Sequence, residues 1–302
     1  MTLEMKKSVR LPRLSRPQKQ SPESAVIIEG LREELRVAVY RRLPSTLRTD
    51  EVEAHFRYMP DRYWVRVNEN DLLRHLEIIH SYCERVGDEE AEVRTPIIRW
   101  KHFAPRGYSE AIVCASNQHG LLAKVAGAFA AASANVLDAD IYTRRDHLVL
   151  NIFHVCDPDH RPLSSAEAIH EMEHALAASL GKHGDLPFTH VAAGARTASS
   201  RKKGKIATTV TVDNDVATDH TVLQIRTVDY LGLLHDVLQV LSLCDVEIDQ
   251  AKIHTRKDVA EDVFYITGLD GRKIASPARL DLIRKQLLEM IQHGTMLARS
   301  VV

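Results

Sequence analysis

Cysteine is scarce in this chain, and the few present stand apart. There are four, Cys83, Cys114, Cys156 and Cys244, with no Cys-x-x-Cys pair. That spacing excludes a zinc knuckle, a dithiol redox pair and the disulfide framework of a small secreted domain. An excess of one charge is also missing. Forty Lys and Arg against 41 Asp and Glu leave a net charge of -1, so no global field recruits nucleic acid or an acidic membrane. No apolar run reaches the roughly 18 residues that a bilayer span needs, and the N-terminus shows no signal-peptide core. The expectation is a cytoplasmic chain with neither a membrane nor a nucleic-acid partner. With 44% hydrophobic and 27% charged residues the composition is that of a folded globular protein, and 302 residues point to about two domains.

Histidine, by contrast, is plentiful, with sixteen copies that invite a metal site. Only His170 and His174 share a helical spacing, in a His-Glu-Met-Glu-His run that spells a zinc-protease motif. Such a site also needs a third ligand and a cleft. Here the inner side of the helix is Ala168, Met172, Ala175, Leu176 and Ser179, which leaves both histidines on a solvated flank. Neither a metal nor another cofactor is expected.

What the chain does contain is a duplication. Residues 112–146 and 224–258 follow one pattern at a constant offset of 112 residues: Gly120-Leu121-Leu122 returns as Gly232-Leu233-Leu234, and Ile141-Tyr142-Thr143-Arg144 as Ile253-His254-Thr255-Arg256. After a slip of one residue, Asn151-Ile152-Phe153 matches Asp262-Val263-Phe264. A repeat this long is two whole domains of one design, since solenoid periods run to about 20–50 residues.

Periodicity predicts the elements. Residues 1–24, rich in Pro and basic side chains, read as a disordered tail. Residues 25–104 read as a helical segment, with helices at 24–42, 49–58 and from a cap at Asn70 or Asp71 to Gly87, and a short strand at Tyr63–Val67. The first repeat, 105–195, predicts strands at 110–116, 135–143 and 148–156 and helices at 120–133 and 165–180. A basic linker follows at 196–207. The second repeat, 208–302, predicts strands at 222–228, 247–255 and 261–267 and helices at 233–243 and 277–291. The fold class is α+β, each repeat a β-α-β-β-α series that one more strand would complete to a ferredoxin-like βαββαβ unit. Phe188–Ala192 and Met296–Val302 are candidates for that strand, and Thr208–Val212 could compete for an edge. Cys114 and Cys156 fall at apolar strand positions, Trp64 and Trp100 read as packing anchors, and Arg144-Arg145 and Arg256-Lys257 as solvated hairpin tips.

Candidate chemistry gathers at the first strand-to-helix turn of each repeat. Gly120 or Gly232 lets backbone approach a ligand, and the following helix N-terminus suits a carboxylate. Asn117 or Asp229, three positions earlier, can hold an ammonium. Together these suit an α-amino acid. The candidate binding residues are Asn117, Gln118, His119, Gly120 and Leu121 with Asp138 and Asp140 for the first seat, and Asp229, Tyr230, Leu231, Gly232 and Leu233 with Asp249 and Gln250 for the second. A charge-assisted contact from Asp229 ranks the second seat above the first. No residue is assigned a catalytic role.

The β-α-β-β-α series with its glycine turn resembles the ACT domain, a small-molecule sensing module. Met59-Pro60-Asp61-Arg62-Tyr63, Leu73-Arg74-His75-Leu76, the two units, and Asp262-Val263-Phe264-Tyr265-Ile266 followed by Leu269-Asp270-Gly271-Arg272 resemble the C-terminal part of bacterial PII uridylyltransferases over about residues 25–302. The resemblance implies an amino acid, glutamine first, bound between paired units, a PII-pathway protein partner, and pairing either within the chain or in a homo-oligomer. It also implies regulation without catalysis. The family's nucleotidyltransferase needs a Gly-Ser turn with spaced aspartates, and none precedes residue 59; its hydrolase needs a His-Asp cluster, and residues 1–100 hold no His-Asp dipeptide. The family's Asp-Arg-Pro-Gly-Leu turn is Asn117-Gln118-His119-Gly120-Leu121 in one repeat and Asp229-Tyr230-Leu231-Gly232-Leu233 in the other. The alternatives are a uridylyltransferase working with a catalytic subunit in trans, and a scaffold whose pockets are vestigial.

Overall fold

A computed structural model describes residues 22–88, 96–180, 206–256 and 258–293. The chain opens with α1 (Pro22–Arg41), α2 (Thr49–Tyr58), α3 (Asp61–Trp64) and α4 (Glu69–Asp88). The first unit consists of β1 (Ile97–Phe103), β2 (Tyr108–Ser116), α5 (Leu121–Ala131), β3 (Asn135–Thr143), β4 (Leu148–Cys156) and α6 (Ala166–Leu180). The second consists of β5 (Thr209–Asp213), β6 (Thr221–Val228), α7 (Leu233–Leu243), β7 (Val246–Arg256), β8 (Val259–Gly268) and α8 (Pro277–His293). All eight strands join one antiparallel sheet in the order β1-β2-β4-β3-β7-β8-β6-β5.

That order is symmetric about its centre, and the sequence repeat is the symmetry operator. On the central β3–β7 pair Asp140 lies opposite Lys252, its own counterpart at the 112-residue offset. The outer strands keep one register in both copies: Ile98 pairs with Val113, and Val210 with Ile225. Unusual backbone repeats as well, with positive φ at Ser133 and Asp245 and at His147 and Asp258.

The edge strand of each unit is therefore its first strand and not its last. β1 and β5 take the place beside β2 and β6 where a ferredoxin-like fold seats its fourth strand. Thr208–Val212 does hold an edge, as expected, whereas Phe188–Ala192 and Met296–Val302 lie outside the described residues, as do most of the tail and linker and Lys257. β1 was not foreseen. It falls within the span expected to be the helical segment yet pairs along its whole length with β2.

The helices cover one face of the sheet. Phe129, Phe153, Met172 and Leu176 fill the first unit's core, and Leu238, Leu241, Phe264 and Leu287 the second's, in one continuous cluster. On the opposite face of the first unit the N-terminal helices close a second core, in which Trp64, Tyr63, Leu72, Leu76 and Ile79 pack on Ile112, Cys114, Tyr142 and Leu150. Arg62 and Arg66 each reach Asp140 at 3.0 Å, Arg74 reaches Glu110 at 2.8 Å, and the Tyr82 hydroxyl meets Ser116 Oγ at 2.8 Å. The same face of the second unit borders a broad groove.

Three local expectations are corrected. Tyr63–Val67 is not a strand: Asp61–Trp64 is a short helix started from extended Pro60, and the Val67 N–H donates to the Tyr63 carbonyl at 3.0 Å. The aromatic run favours a strand by propensity, but burying Tyr63 and Trp64 among Phe56, His55 and Tyr142 decides otherwise. α4 is capped by Asn68, whose Oδ1 accepts from the Asp71 N–H at 3.0 Å. Arg144 is not solvated. It is buried over the Tyr58 ring and clamped to Asp146 at 2.5 and 2.9 Å. His170 and His174 are exposed, and Met172 and Leu176 face inward.

Candidate functional site

Each glycine turn opens into a cleft on the helix-covered side of the sheet, and each cleft is built by both units. The first is small, with a cavity volume of about 30 Å³, and is partly open to solvent. Asn117, Gln118, Gly120 and Leu121 contribute from one unit, and Leu238, Ser242 and Glu247 from the other. The second has a cavity volume of about 20 Å³. There Asp229, Tyr230, Gly232 and Leu233 meet Ala126, Ala130, Asn135 and Val136 of the first unit. The antiparallel β3–β7 pair causes this exchange, since the start of each strand runs beside the other unit's turn.

Local chemistry explains the shape of the turns. Gly120 and Gly232 have φ of 74° and 88° as the residues that precede α5 and α7, a left-handed conformation that other residues adopt only with strain. A side chain at Gly120 would also meet Ser242 Oγ at 3.2 Å. The Asn117 N–H donates to the His147 carbonyl at 2.6 Å and the Asp229 N–H to the Asp258 carbonyl at 2.8 Å, so each turn is pinned to its hairpin tip. The Leu121 and Leu233 N–H groups donate to the Gln118 and Tyr230 carbonyls at 3.0 Å, and the next two amides of each helix have no intrahelical acceptor. Across the boundary His119 meets Glu247 at 3.1 Å and Ser242 at 2.9–3.0 Å, Asn135 donates to Asp229 at 3.4 Å, and His235 Nδ1 lies 2.9 Å from the Ala123 carbonyl.

The expected seats come together only in part. The turn residues line their clefts, except that His119 is turned onto the other unit and Leu231 is not part of the lining. Asp138, Asp140, Asp249 and Gln250 lie on the opposite face, and this is a correction to the seats. Strand alternation places Ala139 and Ile141 in the helix-side core, so Asp140 points the other way and pairs with Arg62 and Arg66. Asp138 Oδ1 lies 3.8 Å from Lys252, and Asp249 meets His220 and Thr267 at 3.2 Å. Asp138, Asp249 and Gln250 border the broad groove, together with Asn117, Gln118 and His119 of the first turn. Asp249 and Gln250 thus belong beside the first turn and not beside Asp229.

Two residues on the cleft floors escaped the sequence reading. Asn151 on β4 is fully buried, lines the first cleft, and has no hydrogen-bond partner at either Oδ1 or Nδ2. Its counterpart Asp262 on β8 lines the second cleft and accepts the His254 N–H at 3.2 Å. Burial pushes the Asp262 carboxyl up to about 8, against that hydrogen bond and with help from the Asp229 and Asp138 charges. The signal was present in the repeat, a polar side chain among the otherwise apolar inward positions of its strand.

Paired units that share one sheet, with glycine turns at their junction, define a tandem ACT protein. The general ACT domain family matches residues 110–171, and the ACR9-like, ACT-like domain family matches residues 209–298. Among curated proteins the chain is similar to bifunctional uridylyltransferase/uridylyl-removing enzymes. It is 30% identical to that of Gluconobacter oxydans over 75% of this chain and 23% of the relative. It is 29% identical to that of Azospirillum brasilense over 80% and 25%, and 28% identical to that of Erythrobacter litoralis over 79% and 25%. The chain spans about a quarter of the length of these relatives. A solved trimeric microcompartment shell protein covers 66% of the chain at 10% identity with a TM-score of 0.19, too low to bear on the fold. Among the described residues no helix is long and apolar enough to cross a membrane.

Proposed function

We propose that this chain is a non-catalytic regulatory protein that senses a small α-amino acid, glutamine first, in the clefts between its two ACT units. One observation carries the reading: each cleft takes its glycine turn and helix N-terminus from one unit and its far wall from the other. A ligand there has contacts that depend on how the units sit together. It shifts their equilibrium by its difference in affinity for the two arrangements, which is what a sensor requires. The carboxylate goes to the amide-rich helix start and the ammonium to the polar turn residue. A regulatory role is preferred to a catalytic one because the chain spans about a quarter of the relatives' length and the families it matches are ACT domains. The resemblance of the sequence to PII uridylyltransferases motivates the link to nitrogen signalling and to a PII-type protein partner.

Isothermal titration against the twenty amino acids tests this. The reading predicts binding at submillimolar to millimolar concentration that is lost in Gly120→Val, and silence across all twenty would sink it. Incubation with UTP, magnesium and PII protein is predicted to leave the PII mass unchanged. A uridylylated product would restore the enzymatic alternative.

A further inference from the structure

An asparagine buried without a partner is costly. Native structures retain few unsatisfied buried polar groups without a reason. Asn151 carries two, a donor and an acceptor side by side on a side chain that is 0% exposed. It sits mid-strand between Val149 and Phe153 on the helix-facing side. It also lines the first cleft, on the floor beneath the turn that carries Gly120. The second cleft differs at the symmetric position. There Asp262 stands in place of Asn151 and is already engaged by the His254 N–H.

We propose that Asn151 is the specificity-determining residue of the first cleft, pairing through its donor and acceptor with a neutral ligand side chain that offers the complementary pair. A primary carboxamide has that pattern, with a carbonyl oxygen to accept from Nδ2 and an NH₂ to donate to Oδ1. A carboxylate offers only acceptors and would face Asn151 Oδ1 unfavourably, and a thioether or alkyl chain leaves both Asn151 groups unpaired. The two clefts are consequently unequal. The first selects for a carboxamide, and the second does not share that selection. This rests on the amino-acid reading above, since it assigns the side-chain end of a ligand whose amino-acid end is held by the turn.

The experiment is calorimetric titration of the whole chain with glutamine, asparagine, glutamate and methionine. Wild type, Asn151→Asp, Asn151→Leu and Asp262→Asn are compared, with thermal midpoints recorded for each. The expected result is a wild-type preference for carboxamide ligands of about tenfold or more over glutamate and methionine. That preference disappears in both Asn151 variants and persists in Asp262→Asn. Asn151→Leu is expected to raise the thermal midpoint, because it removes two unpaired polar atoms. A residue kept only for structure would give a lower midpoint. Should Asn151→Asp fail to fold, Asn151→Ser replaces it, with the same predicted loss of preference. Wild-type selectivity retained in folded Asn151 variants overturns this proposal alone and leaves the amino-acid reading standing. So does an equal loss in Asp262→Asn. A wild-type chain that binds none of the amino acids overturns both.

Discussion

His235 Nδ1 lies 2.9 Å from the carbonyl oxygen of Ala123, and these two residues occupy the same position in the two repeats. The contact joins the first turn of α7 to that of α5, next to both glycine turns. His235→Ala is predicted to cost about 1 kcal/mol from the lost hydrogen bond, and so to lower the thermal midpoint by a few degrees. An unchanged midpoint in scanning calorimetry would show that the contact does not help hold the units together.

The centre of the sheet makes the pairing directional. Asp140 opposes Lys252, and Lys252 Nζ also lies 3.8 Å from Asp138. Two copies of the first unit joined in this way would set Asp140 against Asp140. Lys252→Glu introduces that like-charge pairing within the chain, with an expected cost of about 1 kcal/mol for the cross-strand pair. The loss should shrink in high salt as the charges are screened. A salt-independent loss in chemical denaturation would contradict an electrostatic origin.

Much of the fold was legible in the sequence because apolar period and turn chemistry agree there. Asn135–Thr143, Leu148–Cys156 and Leu233–Leu243 form at the expected bounds. The glycine turns were legible for the same reason, since positive φ leaves few alternatives. What failed was non-local. Tyr63 and Trp64 take their conformation from a core that the second face of the sheet completes. β1 needs β2 as its partner to be a strand. The strand half of each seat was assigned within one repeat, whereas the central pairing hands it to the other. Ranking the second seat first rested on the charge of Asp229. The structure sets Asn135 and Asp262 beside that carboxylate and leaves Asn151 unpaired in the first cleft, which shifts the weight to the first.

Asp262 should make the protein sensitive to alkaline pH. Its folded-state value is raised from 3.8 to about 8 by burial, so the folded chain binds a proton that the unfolded chain has released. Its contribution is full below about pH 3.8 and is lost as pH rises through 8, at up to about 1.4 kcal/mol per unit. Asp262→Asn removes this slope. Unfolding midpoints from pH 6.5 to 8.5 are predicted to fall for wild type and to stay flatter for the variant. Parallel curves would contradict this.

The N-terminal helices should fail in acid. Burial lowers His75 to about 4, with the Arg74 charge adding to it, and holds His55 well below its usual range. A depressed value contributes stability above pH 6.5 that is lost as pH falls through 4. In a Trp100→Phe background, the fluorescence of fully buried Trp64 reports on this core. It is predicted to shift to longer wavelength between pH 6.5 and 4. A spectrum unchanged to pH 4 would show that neither histidine drives the opening.

The central claim is that one bound amino acid touches both ACT units at once. Backbone amide spectra of isotope-labelled protein titrated with glutamine test it most directly. The account predicts saturable shifts at 118–123 on one side of the first cleft and at 242–248 on the other, with a single dissociation constant. Shifts confined to one unit, or none at millimolar ligand, would contradict it.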